Sequence, residues 1–142
     1  MNWLFVCTGN TCRSPMAAAC MRRALSKRGL DGQVFSAGVA ANGSPATENA
    51  VTVMGEIGVD ISNHRSTPLT LELCKQADRV AVMTAAHKAM LMAAGVSAEN
   101  VVVLAEGEGG IADPYGGDLE CYRNTRDQLI GEIDRLLEKD GV

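Results

Sequence analysis

The sequence predicts an α/β fold of three layers, in which helices cover both faces of a central four-stranded parallel sheet. Short apolar runs alternate with helical segments along the chain, a pattern typical of βαβ units. Hydrophobic residues make up 46% of the chain and charged residues 21%, as in ordinary globular proteins. A length of 142 residues suits one domain over residues 1–142, because two domains would each have a small core.

The N-terminal sequence predicts the first strand and the first helix. Residues 3–6 are a short apolar run that a Gly-Asn turn follows, which is typical of a buried strand. Pro15 suits the first turn of a helix, and residues 16–28 are rich in Ala, Met and Arg, which favour helix. Gly29 is expected to end that helix.

The next strand and helix follow from the same signals. Residues 33–37 predict the second strand. Ser44 and Pro45 are expected to open a helix that runs to about Ile57, with Gly58 as its stop.

The rest of the chain continues the alternation. It predicts a helix over 69–76, a strand over 79–83, a helix over 85–94, a strand over 101–104, a Gly-rich loop over 106–117 and an amphipathic helix over 119–139. Thr70 can cap the first of these helices, since Glu72 follows it.

Composition argues against several classes of function. A formal net charge of −4 disfavours nucleic acid as a partner, because such binding needs a basic face. No apolar run approaches the roughly 20 residues that span a bilayer, and no secretory signal is expected at the start. The five cysteines form no Cys-x-x-Cys pair and the two histidines are isolated, so we expect no metal, no cofactor and no disulfide scaffold. Free thiols predict a cytoplasmic protein.

The segment after the first strand has the composition of a phosphate-binding loop. Ligands of parallel sheets bind beyond the carboxyl ends of the strands, where this loop would lie. Successive backbone N–H groups and the following helix N-terminus attract an anion, while Gly9 and Asn10 tolerate left-handed backbone. Arg13 offers a planar fork of donors to two phosphate oxygens. This positive environment favours the thiolate of Cys7, and the sequence therefore predicts Cys7 as a nucleophile on phosphorus.

Residues 7–15, which read Cys-Thr-Gly-Asn-Thr-Cys-Arg-Ser-Pro, resemble the signature of the low-molecular-weight protein-tyrosine-phosphatase family. Residues 35–38, 58–64 and 113–115 are similar to three further segments of that family, so the resemblance covers nearly the whole chain. It implies the flavodoxin-like or Rossmann-like fold of these phosphatases. It also implies hydrolysis of phosphorylated protein side chains through a phosphocysteine, with inorganic phosphate as product.

Asp113 is the predicted general acid. The leaving group needs a proton and the phosphocysteine then needs an activated water, and one carboxylate on a Gly-rich loop can serve both steps. Pro114 and Tyr115 restrict its direction. Ser14 can donate a hydrogen bond to the Cys7 thiolate. The substrate-binding residues expected beside these are Thr8, Gly9, Asn10, Thr11, Cys12, Ser14 and Tyr115.

The resemblance implies further roles around the loop. It implies that Asn10, Ser36 and His64 form a network that supports the loop and Ser14. It also implies that Cys12 can trap an oxidised Cys7 as a reversible disulfide. From its residue type alone Cys12 could equally be a small packing residue.

Two features favour phosphoarginine as the substrate. Tyrosine-directed members of the family usually carry a larger aliphatic residue at the position of Thr11, whereas the bacterial protein-arginine phosphatase branch carries Thr. A hydroxyl suits a planar guanidinium better than a phenyl ring. Tyr115 is followed by Gly116 and Gly117 rather than by a second aromatic, so stacking on a phenyl ring is limited. Asp113 would then also contact the guanidinium. Phosphotyrosine is the alternative substrate.

Two functions of other classes remain as alternatives. A thioredoxin-coupled arsenate reductase shares the fold and first cysteine, but it needs a closely spaced relay pair, whereas Cys74 and Cys121 are isolated. A non-catalytic module that binds phosphorylated residues would keep Arg13 but lose Cys7 or Asp113, and both are present.

Overall fold

A computed structural model describes residues 1–139 and confirms the predicted three-layer α/β fold. The four strands are parallel and lie in the order β2-β1-β3-β4. They are β1 (Asn2–Cys7), β2 (Gln33–Gly38), β3 (Arg79–Val82) and β4 (Val101–Val103). The helices are α1 (Arg13–Arg28), α2 (Glu48–Gly55), α3 (Leu71–Gln76), α4 (Ala85–Ala93) and α5 (Leu119–Lys139).

Alternate side chains of β1 enter two separate hydrophobic clusters. Trp3 and Phe5 pack on one face of the sheet with α1, α2 and α5. Leu4 and Val6 pack on the other face with residues of α3 and α4. Because successive strand residues point to opposite faces, one short apolar strand buries both its faces, as parallel sheets require.

The limits of α1 follow from local chemistry. The helix begins at Arg13, directly after the predicted phosphate loop, with Pro15 in its first turn. Gly29 ends it in the left-handed conformation with φ of 65°, which glycine adopts without steric cost. The predicted end of this helix is confirmed.

The predicted start of α2 is wrong. The helix begins at Glu48 rather than at Ser44 and Pro45, and its N-cap is Thr47, whose hydroxyl accepts a hydrogen bond from Ala50 N–H at 3.3 Å. Pro45 instead forms an antiparallel bridge with Arg65. Because this pairing keeps the chain extended at Pro45, the helix begins only after Thr47, the next residue whose side chain can cap it. It ends at Gly55 rather than near Ile57.

The strand order places a crevice at the end of β1. The chain passes from β1 to β2 on one side and then returns across the sheet to β3 on the other. Such a reversal opens a crevice beyond the carboxyl ends of the strands, and Cys7 is the last residue of β1. Of the helices within residues 1–139, none has both the length and the apolar character needed to cross a membrane.

Candidate active site

A cavity of about 200 Å³ lies at the carboxyl end of β1. The loop between β1 and α1 forms its floor and one wall, and the loop before α5 forms the opposite wall. Its lining residues are Cys7, Thr8, Gly9, Thr11, Cys12, Arg13, Asp113 and Tyr115. The structure thus brings together the predicted nucleophile, cationic residue and acid, although 100 residues separate Arg13 from Asp113 in the sequence.

The Cys7 sulfur is surrounded by donors. Its side chain is buried, with Ser14 Oγ at 2.9 Å, and Asn10 N–H donates to it at 3.2 Å. The Asn10 side-chain amide donates to Ser14 Oγ at 2.6 Å, so the hydroxyl proton of Ser14 is free to point at the sulfur. Donors aimed at one atom stabilise its anionic form.

Asn10 fixes the shape of the loop. It is fully buried and has a φ of 55°, a left-handed conformation that asparagine tolerates better than most residues. Its side-chain oxygen accepts from Thr67 N–H at 2.8 Å, and its backbone carbonyl accepts from His64 Nε2 at 2.7 Å. The loop is therefore tied to the segment that follows α2.

The Ser36 side chain is not part of this hydrogen-bonded cluster. Within residues 1–139 it makes no hydrogen bond, although Ser36 pairs with Phe5 in the strand register. The neighbouring residue Ala37 lies nearer to the cluster: its carbonyl oxygen is 3.5 Å from Ser14 Oγ, a longer contact than the 2.9 Å between Ser14 Oγ and the Cys7 sulfur, which takes the hydroxyl proton. Of the three residues expected to form this network, Asn10 and His64 are joined by a hydrogen bond, whereas the Ser36 side chain is linked to neither within residues 1–139.

One buried N–H group of Arg13, at Nε, has no hydrogen-bond partner in the described part of the chain. Its guanidinium is nearly buried; Nη1 donates to Ile111 O at 2.9 Å, and Nη2 lies 3.7 Å from Asp113 Oδ2. Leaving a buried charged donor unpaired is costly, so Nε is suited to an anion that enters the cavity.

Asp113 lies beside Cys12 at the mouth of the cavity. Its side chain is half exposed, and Oδ1 accepts from Tyr115 N–H at 3.1 Å and from Cys12 Sγ at 3.4 Å. Burial, followed by the charge of Asp113, raises the pKa of Cys12 to about 12. Cys12 is therefore a neutral thiol near pH 7, in contrast to the nucleophile that the cavity needs.

Two threonines and one aromatic residue contribute to the walls of the cavity. Thr11 is partly buried, with Thr47 N–H donating to its carbonyl at 2.9 Å. A Cβ added at Gly9 would lie 3.5 Å from Thr11 Oγ1, which places this hydroxyl beside the loop backbone. Tyr115 is 70% exposed at the rim and is the one aromatic residue among those that line the cavity.

Sequence reasoning missed several residues that hold the site. His87 contacts Thr8 through Nε2 at 2.9 Å, and the Ile111 carbonyl holds Arg13. A signal for His87 did exist: Thr84 follows the third strand and stands three residues before it, at the spacing of a helix cap. No comparable signal marked Ile111.

This arrangement can bind a tetrahedral anion and attack it. The buried Arg13 and the start of α1 would neutralise the anion, the Cys7 sulfur lies at the floor, and a carboxylate stands at the mouth. Within residues 1–139, no group of three or more His, Cys, Asp or Glu side chains could hold a metal ion.

Comparisons with known proteins agree with this geometry. The model of the low molecular weight phosphotyrosine protein phosphatase family matches residues 2–140. A protein-arginine-phosphatase of Bacillus subtilis is 40% identical, and the match covers 99% of each chain. A protein-arginine-phosphatase of Geobacillus stearothermophilus is 46% identical, covering 96% of this chain and 93% of the relative.

A solved structure and a more distant relative also resemble the chain over nearly its whole length. A structure of the YwlE arginine phosphatase, a cysteine-to-serine mutant with a phosphorylated active-site serine, has a TM-score of 0.91 and 39% identity, covering 99% of this chain and 98% of that one. An arsenate reductase of Brevibacillus brevis is 31% identical over 94% of this chain and 92% of its own. The family and fold that the sequence predicted are confirmed. The chain belongs to the low molecular weight phosphotyrosine protein phosphatase family.

Proposed function

We propose that this phosphatase hydrolyses phosphoarginine on proteins in preference to phosphotyrosine, through a phosphocysteine at Cys7. The observation that carries the proposal is the set of groups that line the cavity: the hydroxyls of Thr8 and Thr11 and the carboxyl group of Asp113 can accept hydrogen bonds, and the one aromatic lining residue, Tyr115, is exposed at the rim. A phenyl ring would have a single aromatic side chain, Tyr115, on which to stack. The two relatives named protein-arginine-phosphatase support the same substrate.

The first step transfers the phosphoryl group to sulfur. The phosphoryl oxygens occupy the loop, where Arg13 Nε gains the partner it lacks. The Cys7 thiolate attacks phosphorus, the S–P bond forms and the P–N bond breaks. The electron pair of that bond goes to the guanidine nitrogen, which takes a proton from the carboxyl group of Asp113.

The second step returns the enzyme to its starting state. The Asp113 carboxylate takes a proton from a water molecule, whose oxygen attacks phosphorus, and the S–P bond breaks to release inorganic phosphate. The sulfur leaves as a thiolate, which Ser14 stabilises across the 2.9 Å contact. One carboxylate thus serves as acid and then as base.

Selectivity would come from hydrogen bonding on the leaving-group side. A guanidinium carries N–H donors that a phenyl ring lacks, and both the Thr11 hydroxyl and the carbonyl oxygen of the Asp113 carboxyl group can accept from them. A bound phosphotyrosine would leave these acceptors without hydrogen-bond partners, and a site built around such acceptors binds a substrate without donors less well. Thr11 also leaves more room for the guanidinium than the larger aliphatic residue that tyrosine-directed members of the family usually carry at this position.

The test compares kcat/KM for a phosphoarginine peptide and a phosphotyrosine peptide in the native protein, Thr11→Ile and Thr11→Val. The native protein should prefer phosphoarginine, and Thr11→Ile should shift the ratio toward phosphotyrosine by about 10- to 100-fold, because bulk replaces a hydrogen-bonding group. Thr11→Val keeps the size of threonine and isolates the hydroxyl. A native preference for phosphotyrosine would refute the proposed selectivity.

Arsenate reduction is the alternative from another class, because arsenate reductases also match nearly the whole chain. The structure does not favour it: Cys74 packs on the face of the sheet opposite Cys7, and Cys121 is exposed on α5. Arsenate-dependent oxidation of thioredoxin would establish that activity. Hydrolysis of p-nitrophenyl phosphate would exclude a module that only binds phosphorylated residues.

We also propose phosphorylated proteins as the partners and the cytoplasm as the location. All five cysteines are free, and a reducing compartment would preserve the thiol of Cys7 on which the reaction depends.

A further inference from the structure

A buried histidine joins the phosphate loop to the start of α4. His87 is 4% exposed. Its Nε2 lies 2.9 Å from Thr8 Oγ1, and its Nδ1 lies 3.0 Å from Thr84 Oγ1. Both ring nitrogens are therefore used, and each faces a hydroxyl.

The imidazole ring of His87 is held in place by the end of β3 and the start of α4, which lie outside the phosphate loop. Thr84 is the N-cap of α4, and its hydroxyl also accepts from His87 N–H at 3.3 Å. β3 ends two residues earlier and lies beside β1 in the sheet. The imidazole is thus anchored to a strand end and a helix start, and it extends from there to the residue that follows Cys7.

The neutral form of the ring fits this position. Burial lowers the pKa of His87, and the charge of Arg13 lowers it further, while Asp113 opposes them. In neutral imidazole one nitrogen donates and the other accepts, and a hydroxyl can do either. Whichever nitrogen has the proton, Thr8 Oγ1 keeps a lone pair that the ring does not use.

Thr8 is where this lone pair becomes available to a substrate. The residue is exposed and lines the cavity together with Thr11 and Asp113. A threonine hydroxyl with no fixed partner would rotate among its staggered positions. A hydroxyl that a buried ring already holds in one position loses less conformational entropy when a ligand binds.

We propose that His87 is a positioning residue that holds the Thr8 hydroxyl in the cavity wall, where its oxygen accepts a hydrogen bond from the guanidinium of the substrate. This inference rests on the proposed preference for phosphoarginine. His87 acts through Thr8 and does not itself touch the substrate, so removing it should affect recognition of the side chain more than chemistry at phosphorus.

A double-mutant cycle tests the proposal, using Thr8→Val, His87→Leu and the two combined. With phosphoarginine peptide, each single variant should raise KM about fivefold, the loss of one hydrogen bond, with kcat changed less than about twofold. The combined variant should be no worse than Thr8→Val alone, because the histidine has no hydroxyl left to position. Independent, multiplying losses would overturn the proposal.

Control variants separate positioning from packing. His87→Gln keeps a donor and an acceptor on a side chain of similar reach, and its KM should fall between those of the native protein and His87→Leu; it also serves if His87→Leu does not fold. Leu91→Ala removes buried apolar packing of α4 at a residue that does not line the active-site cavity. If Leu91→Ala raised KM as His87→Leu does, the role of His87 would be structural only.

The choice of substrate distinguishes this inference from the proposed function. With a phosphotyrosine peptide, which offers no guanidinium donor, His87→Leu should change KM by less than about twofold. An equal rise in KM for both peptides would refute the link between His87 and the guanidinium. A native preference for phosphotyrosine would refute the proposed function instead, and the cycle would still measure the coupling between His87 and Thr8.

Discussion

Asn10 ties the phosphate loop to Ser14 and to the segment that follows α2. Its side-chain amide donates to Ser14, its side-chain oxygen accepts from Thr67, and its carbonyl accepts from His64. Asn10 makes all three contacts while it is fully buried and in the left-handed conformation. The orientation of Ser14 toward the sulfur therefore depends on one asparagine.

Replacing Asn10 should weaken both the fold and the reaction. We expect Asn10→Ala to lower the free energy of unfolding by about 2–4 kcal/mol, because two buried hydrogen bonds are lost and alanine is strained at positive φ. Asn10→Gly loses the same bonds without the strain, so it should be about 1 kcal/mol more stable than Asn10→Ala. Urea unfolding measures the change in the free energy of unfolding, and kcat with the phosphoarginine peptide measures the change in the reaction. Native-like stability and kcat in Asn10→Ala would contradict this account of the loop.

At the residue scale, the sequence predicted contacts that lie close to the motif. Cys7, Arg13 and Ser14 are near in sequence, and the spacing alone places them around one anion. His87 was missed because it lies 79 residues from Thr8, and the contact requires that β3 lie beside β1. The pattern of strands predicted a parallel sheet, but it left the strand order open.

At the scale of elements, the loop before α5 is docked onto the end of β3. Ile111 N–H donates to Met83 O at 2.7 Å, and the Ile111 carbonyl accepts from Arg13 at 2.9 Å. Gly110 lies so close to β3 that an added Cβ would be 2.5 Å from Met83 O. The position of Asp113, two residues beyond Ile111, therefore depends on a close backbone approach.

Two neighbouring glycines allow a matched test of this docking. Gly110 and Gly109 both have positive φ, of 91° and 85°, but a Cβ at Gly109 would meet nothing within 4 Å. Gly110→Ala should lower kcat at least about tenfold by displacing Asp113, while Gly109→Ala should show only the backbone strain, about 1 kcal/mol in stability. Equal kcat values in the two variants would show that the approach of this loop to β3 does not position the acid.

The helix that begins near Ser44 shows why element limits are harder to predict than element order. Pro45 is a sound local signal for the first turn of a helix. The structure uses it instead in a bridge to Arg65, twenty residues away. Local signals were sufficient for α5, predicted over 119–139 and found as Leu119–Lys139, and for the end of α1 at Gly29.

At the scale of the whole molecule, the strand order creates the site. β1 lies between β2 and β3. The phosphate loop that follows β1 therefore faces the crevice, and segments that follow β2 and β3 contact it from either side. His64 and Thr67 hold the loop from the segment beyond β2, and His87 holds it from α4. The loop is therefore fixed before any substrate arrives, as a site for phosphoryl transfer requires.

The central claim is that the Cys7 sulfur accepts the phosphoryl group, and trapping the intermediate tests it most directly. With p-nitrophenyl phosphate, whose nitrophenolate leaves without a proton, an Asp113→Ala variant should still form the phosphocysteine but hydrolyse it slowly, since no carboxylate activates the water. After a rapid quench, mass spectrometry should find the phosphoryl group on Cys7, and none on the protein when Cys7→Ala is added. A phosphoryl group on another residue, or turnover that survives Cys7→Ala, would contradict the account.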